Sequence, residues 1–290
     1  MPYQSGFRPG LFAGQTIFIP GGGGGLGRCI AHELAFLGAR LVLAGRTIEK
    51  LEKTQREIAE DGGEVAGIYT TELRDEDAVT RLVGDILDRH GPVDALVNAG
   101  GGQFPAALED LSLNGWNAVI NNNLTSYFLT SRELYKQCFK ARGGNIVHIG
   151  AVYHRGMPGM GHNGAARAGL ANLTMTSAVE WAGSNVRVNS VLPGFIATTG
   201  LDRYPDSAWE GLRRIVERAP ISRHGTAAEV SAAVVFLLSE MAAYITGTEI
   251  IVDGGMRLGK GSFVFNGERH VVNTPFNGFH RDERAKLLDN

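Results

Sequence analysis

Cysteine is scarce: Cys29 and Cys138 are the two in 290 residues. Two isolated thiols without a partner motif exclude a disulfide-stapled scaffold and a thiolate metal site, and they suit a reducing cytoplasm. No run of about 18 apolar residues occurs, which excludes a membrane-spanning helix. Neither sign of charge dominates. The 28 Lys and Arg against 30 Asp and Glu leave a net charge of −2, which gives no long-range pull toward nucleic acid or an anionic membrane. Residues 1–14 lack the apolar stretch of a secretory leader, and the terminal Leu288-Asp289-Asn290 is not a peroxisomal address. His and acidic residues show no metal-ligand spacing, so no metal is expected.

Glycine is what the chain has in excess. Its 40 residues are about twice the usual share, and many sit in short clusters just past apolar, β-branched runs. Those runs, at 16–20, 41–44, 65–70, 95–98, 146–149, 187–191 and 249–252, read as strands covered on both faces. Amphipathic stretches alternate with them at 26–37, 49–61, 75–89, 116–141, 165–182 and 229–239. Strand–helix alternation implies right-handed crossovers and a parallel sheet. The expectation is an α/β, single-domain Rossmann fold over residues 1–290: a doubly wound seven-stranded parallel sheet with helices on both faces. Its core covers about 12–256, followed by a C-terminal extension at 257–290. The segment 200–218, with Tyr204, Pro205 and Trp209, interrupts the rhythm beyond the sixth strand and reads as a substrate lid or a packed helix pair.

Pro20 is followed by five glycines, then Leu26 and Gly27, between the first strand and the first helix. Such a turn lets backbone N–H groups approach a pyrophosphate at a helix N-terminus. Two registers fit: Gly22-x-Gly24-x-x-Gly27, and Gly21-x-x-x-Gly25-x-Gly27. The second strand ends at Ala44-Gly45-Arg46, with no acid to accept the ribose 2′-hydroxyl of NAD. Arg46 is placed to meet a 2′-phosphate, with Arg28 near enough in sequence to help. NADP(H) is therefore the expected cofactor.

With Asn98-Ala99-Gly100, Asn123-Leu124-Thr125, Pro193-Gly194-Phe195-Ile196 and Val252-Asp253-Gly254-Gly255, the chain resembles the short-chain dehydrogenase/reductase family over roughly residues 12–256. The resemblance implies cofactor contacts from Gly21, Gly24, Gly25, Leu26 and Gly27. It places Glu72 and Leu73 beside the adenine, and Asn98, Ala99 and Gly100 along the adenosine ribose. Pro193, Gly194, Ile196 and Thr198 would flank the nicotinamide carboxamide, and Asn123 would hold a water in a proton relay. It also implies homo-oligomers, dimers or tetramers, through the long fourth and fifth helices. Leu170, Leu173 and Trp181 fit such packing or a monomer core. Gly100 to Phe104 and His162 to Gly169 are similar to trans-2-enoyl-CoA reductases and, more distantly, 2,4-dienoyl-CoA reductases. Residues 7–12, 154–181 and 277–281 resemble bacterial citronellol-catabolism dehydrogenases.

Against this family the chain departs where the chemistry lies. Ala151 stands at the usual serine, Asn163 at the tyrosine and Arg167 at the lysine. Alcohol oxidation needs a base to take the hydroxyl proton, and Asn163 cannot be one. Arg167 can bind the nicotinamide ribose or stabilise an anion but cannot give up a proton at neutral pH. Reduction of a conjugated C=C asks less, namely donors on the enolate oxygen and a proton for the α-carbon. The expected catalytic residues are Asn123, Arg167 and a replacement donor, Tyr153 or His162, unless neither serves. The expected function is NADPH-dependent reduction of an α,β-unsaturated thioester or enone, a small-molecule substrate. Alternatives are an NADP-dependent alcohol or aldehyde dehydrogenase of terpenoid catabolism, a non-redox enzyme, or a nucleotide-binding protein on the same scaffold.

Overall fold

The computed structural model describes residues 2–259 and 273–288; residues 260–272 of the expected C-terminal extension lie outside them. In chain order the strands are β1 (Thr16–Pro20), β2 (Arg40–Gly45), β3 (Glu64–Thr70), β4 (Ala95–Asn98), β5 (Gly144–Ile149), β6 (Val186–Pro193) and β7 (Glu249–Val252). They form one seven-stranded sheet in the order β3-β2-β1-β4-β5-β6-β7, with every pair parallel. The order reverses between β1 and β4, and in open α/β sheets the crevice beyond such a switch point is where ligands bind.

The helices are α1 (Gly25–Phe36), α2 (Ile48–Glu60), α3 (Glu76–His90), α4 (Leu113–Ile120), α5 (Ser126–Leu134), α6 (Lys140–Arg142), α7 (Gly161–Trp181), α8 (Trp209–Arg214) and α9 (Ala227–Leu238). Alternate strand residues point to opposite faces, and both faces are apolar. Ile17, Ile19, Leu41, Leu43, Val97 and Val147 pack with α1 and α9. Phe18, Val42, Ala44, Leu96, Ile146 and Val188 pack with α3 and α5. Each fully buried Ile, Leu or Val contributes about 1.5–3 kcal/mol, so both sheet faces hold the layers together.

The stretch expected as a single helix at 116–141 is helical from 113 to 142, but two π turns interrupt it, Asn121–Thr125 and Tyr135–Phe139. Such wide turns are rare and gather at functional sites; the first contains Asn123. The fifth amphipathic stretch, expected from residue 165, starts at Gly161. Glycines at 161 and 164 weaken the helical signal there, while burial of His162 and Asn163 draws the turn into the core. Leu170 is buried and Trp181 stacks on Tyr135 at 4.4 Å, so both serve this chain's own core.

The two chain ends meet over α1. Gln4 N donates to Gly278 O at 2.8 Å, and Phe279 packs on Tyr3 and under the Arg28 guanidinium. Arg281 forms a pair of hydrogen bonds to Asp61 and reaches Glu60. Beyond it, Ala285 and Leu287 pack with Leu201 and Leu212, so the tail braces the 201–214 segment.

Candidate active site

The glycine loop is shaped by contacts that leave no room for a side chain. Gly21 has φ +89°, and a Cβ there would stand 2.3 Å from Gly100 N. A Cβ on Gly27 would stand 2.2 Å from Gly21 O. The loop is thus pressed onto the turn after β4, and helix α1 presses onto the loop. Gly24 caps α1 without a side-chain hydrogen bond, and no acid stands in its first turn. By contrast, α9 closes its own N-terminus with a capping box of Thr226 and Glu229. The α1 amides and dipole are left for an anion from outside the chain.

Arg46 is exposed just past the end of β2. Its charge helps to hold the Glu72 carboxyl below the usual range, where the larger cause is the hydrogen bond from Arg74. Arg28 does not join Arg46. Its Nε and Nη2 each donate to Glu57 at 2.8 Å, and the buried guanidinium lies over the Phe279 ring. A cation so engaged is unavailable to a phosphate. Asn98 is also committed: Oδ1 accepts from Thr130 at 2.8 Å, and Nδ2 reaches Ser131 and His148 at 3.2 Å. Any ribose contact here falls to the backbone at Ala99 and Gly100. His148 is a core histidine, pushed down to about 3 by burial and by Arg167. Leu73 packs in the second core cluster. Gly194 lies against Asp253, Ile196 bridges Gly225, and Thr198 N donates to Ile196 O, contacts that fix the segment from Pro193 to Thr198 beyond the end of β6.

At the far side of the switch point the chain brings Asn123, Tyr127, Asn163 and Arg167 together. Arg167 is buried; its Nη1 donates to Ile149 O at 3.0 Å and Asn123 O at 3.4 Å. Its Nε has no hydrogen-bond partner among the described residues. The guanidinium lies 5.6 Å from the Tyr127 ring centroid, and Nη2 would be 3.0 Å from a Cβ on Gly101. The Tyr127 hydroxyl donates to Ile149 O and Gly100 O, tying the turn after β4 to the end of β5. Asn123 donates both amide hydrogens to protein, to Gly102 O and Asn163 Oδ1 at 3.0 Å each. This amide thus organises the Gly102 backbone and Asn163.

The two expected replacement donors part company. His162 adjoins the cluster, fully buried, with Asn163 N donating to its Nδ1 at 2.9 Å. Its ring meets Phe104 edge-on at 4.7 Å. Tyr153 is not brought to the cluster. It stacks on His154 at 4.4 Å and donates to Glu249 Oε2 at 3.2 Å, at the start of β7. Burial and the Glu249 charge push its phenol above the usual value. A cavity of about 300 Å³ beside that pair is lined by Met175, Gly247 and Ile251, on the outer side of α7. Sequence order put Tyr153 on the right loop but could not show which way the loop turns.

Sequence reasoning missed Asn163 and Tyr127 as members of the cluster. Tyr127 follows Asn123 by four residues, a spacing that places both on one helical face. Over the cluster, Met157 lies near Asn163, while Gln103 Nε2 donates to the Tyr204 hydroxyl at 3.2 Å. The 201–214 segment thus meets, through Tyr204, both the turn after β4 and Met160 of the loop before α7. Among the described residues, no group of His, Cys, Asp and Glu could hold a metal ion, and no helix is long and apolar enough to cross a membrane.

A family model described as enoyl-(acyl carrier protein) reductase matches residues 22–257. The chain belongs to the short-chain dehydrogenase/reductase family. This short-chain reductase is 34% identical over 247 residues to a probable 2,4-dienoyl-CoA reductase from Bacillus subtilis, covering 84% of this chain and 97% of that protein. It is 33% identical over 244 residues to the 3-oxoacyl-[acyl-carrier-protein] reductase FabG from Thermotoga maritima, covering 84% and 98%. Among solved structures, the citronellol catabolism dehydrogenase AtuB from Pseudomonas aeruginosa PAO1 matches with a TM-score of 0.79 and 48% identity, over 88% of this chain and 99% of that one. Members of the short-chain reductase family use nicotinamide cofactors, and the residues here fit one. The side-chain-free cradle at Gly21 and Gly27, the open α1 N-terminus and the unpartnered Arg167 Nε are the features that a dinucleotide would engage.

Proposed function

We propose that this protein is an NADPH-dependent reductase of a conjugated C=C in an α,β-unsaturated acyl thioester or enone. The observation that carries the proposal is the chemistry of the buried cluster. Asn163 and Arg167, which stand where the family resemblance expects tyrosine and lysine, offer hydrogen-bond donors and one fixed positive charge, and neither is a base. Alcohol oxidation requires a group that takes a proton; an enolate oxygen requires donors. The relatives named as dienoyl-CoA reductases support the same direction.

In this reading the glycine loop and the α1 N-terminus hold the pyrophosphate, and Arg46 meets the 2′-phosphate. Bound NADPH supplies the hydride that the β-carbon of the substrate accepts. Charge then gathers on the carbonyl oxygen, where a guanidinium in a water-poor site stabilises it strongly. Arg167 keeps its proton throughout, so the α-carbon is protonated by water or by His162. With Nδ1 accepting from Asn163 N, the His162 N–H lies at Nε2, which has no hydrogen-bond partner among the described residues. A dimer or tetramer agrees with the exposed apolar residues Phe128, Met175 and Val179 on α5 and α7.

A paired titration with NADPH and NADH, following nicotinamide fluorescence, tests the cofactor. Selective NADPH binding, followed by its consumption with an α,β-unsaturated thioester, is the expected result. Binding of neither nucleotide overturns the oxidoreductase reading. The 48% identity to a citronellol catabolism dehydrogenase supports a second reading, an NADP-dependent alcohol or aldehyde dehydrogenase. Reduction of NADP by an acyclic terpenoid alcohol, with no consumption of NADPH by conjugated thioesters, would move the assignment there.

A further inference from the structure

The position at which the family resemblance expects tyrosine has a defined polarity in this chain, although asparagine occupies it. Gly102 N donates to Asn123 Oδ1 at 3.0 Å while Asn123 Nδ2 donates to Gly102 O at 3.0 Å. Gly102 reads both ends of the Asn123 amide, so its oxygen and nitrogen cannot be exchanged. The second Asn123 amide hydrogen goes to Asn163 Oδ1 at 3.0 Å. Asn163 is therefore oriented as well, with its oxygen tied to Asn123 and its NH2 turned away from it.

That NH2 is poorly matched. Asn163 is 1% exposed, yet among the described residues its amide nitrogen meets a single acceptor, the Met157 sulfur at 3.7 Å. A thioether is a weak acceptor, and a buried amide hydrogen without a good partner is costly to keep out of water. Met157 belongs to the loop between β5 and α7, which turns at Gly156 and Gly159, both with positive φ. Met157 also abuts Gly164, where an added Cβ would lie 3.4 Å from it. The positive charge of Arg167 borders the turn after β4 that holds Asn123: a Cβ on Gly101 would stand 3.0 Å from Arg167 Nη2 and 3.1 Å from Asn123 Oδ1.

We propose that the Asn163 NH2 binds the carbonyl oxygen of the substrate's conjugated acyl group, displacing the Met157 sulfur, with Asn123 as the positioning residue that aims it. This rests on the reading of the chain as a reductase of conjugated C=C bonds. The bond strengthens as negative charge gathers on the oxygen. No proton leaves Asn163; the α-carbon takes its proton from elsewhere. Recognition thus selects a carbonyl conjugated to the double bond, and a substrate whose reacting oxygen is a hydroxyl gains less from it.

Asn163→Asp is the discriminating variant. Its carboxyl still accepts from Asn123, and only the outward donor becomes an oxygen. With an α,β-unsaturated acyl thioester and NADPH at pH 8, kcat should fall about 10²-fold, while NADPH fluorescence gives a dissociation constant within about twofold of wild type. Activity should return as pH falls and the carboxyl gains a proton to donate. The infrared carbonyl band of a 13C-labelled enoyl thioester, bound with NADP+, should lie at lower frequency on wild type than in water. That shift should vanish in Asn163→Asp and in Asn163→Ala, whichever folds better. A merely structural Asn163 would lower thermal stability and leave the band alone. An Asp variant with wild-type kcat, or an unshifted band on wild type, overturns the proposal. A wild-type protein that binds NADPH yet reduces no conjugated thioester or enone overturns the functional reading itself, and the Asn163 proposal falls with it.

Discussion

The two banks of the crevice are built on opposite terms. On the β1–α1 side, Gly21 and Gly27 bring backbone against backbone at distances where no Cβ fits. On the β5–α7 side, Asn123, Tyr127, Asn163 and Arg167 hold one another and the loop backbones through side chains. The first bank depends on what is missing from the residues, so almost any substitution is excluded by sterics. The second depends on a network whose members can be exchanged together, provided that each polar group finds a new partner. A chain can therefore keep its nucleotide-binding half while changing what it does to a substrate. The comparison predicts that substitutions on the first bank damage fold and binding together, while those on the second separate binding from turnover.

The largest expected effect is on the glycine side. Gly21→Ala combines a left-handed backbone with a Cβ driven against Gly100 N. It should cost roughly 2–5 kcal/mol, the sum of a positive-φ penalty and overpacking, and remove NADPH binding. Thermal melting and the fluorescence titration read both losses. A stable Ala variant that still binds NADPH would show that the loop has slack and would erase the contrast between the banks.

Arg46→Ala comes next, because it takes a charge from the rim and leaves the cradle intact. Arg46 is exposed, while Arg28 is bound to Glu57 and cannot take its place. NADPH affinity should fall about 10- to 100-fold, the worth of charge-assisted bonds to one phosphate, with NADH affinity and melting temperature unchanged. Equal losses for both nucleotides would mean that Arg46 shapes the loop and does not read the phosphate.

The same asymmetry decides what was legible from sequence. The order and type of all seven strands follow from apolar runs, and their ends fall within two residues of expectation, as with β2 at Arg40–Gly45 against 41–44. The glycine loop was legible because a steric requirement leaves a compositional mark. The π turn at Asn121–Thr125 was not, since one residue more in a helical turn leaves the amphipathic pattern nearly unchanged. Arg28 looked like a cofactor ligand because its partner Glu57 lies 29 residues away on another helix. Asn98 kept its place but turned its side chain inward, to Thr130 and His148. Side-chain direction in a network is a tertiary property, and the motif fixes only where the backbone passes.

Tyr153 gives the smallest expected effect and the sharpest test of the β5–α7 bank. Read along the sequence, it stands on the loop between β5 and Asn163 and is a natural proton donor. Its hydroxyl instead donates to Glu249, and the nearby carboxylate and burial raise its hold on the proton, which makes it a weaker acid. Tyr153→Phe should cost about 0.5–1.5 kcal/mol of stability for the lost hydrogen bond. His154 stays 3.5 Å from the same Glu249 oxygen to limit the loss. If Tyr153 stands outside the reaction, kcat stays within about twofold of wild type, whereas removal of a general acid lowers it about 10²-fold or more. A fall of that size would mean that the loop from Ala151 to Met160 swings Tyr153 inward during turnover. Met157, which occupies the Asn163 NH2 now, would then have to leave in the same motion, so the two residues would exchange places over the substrate.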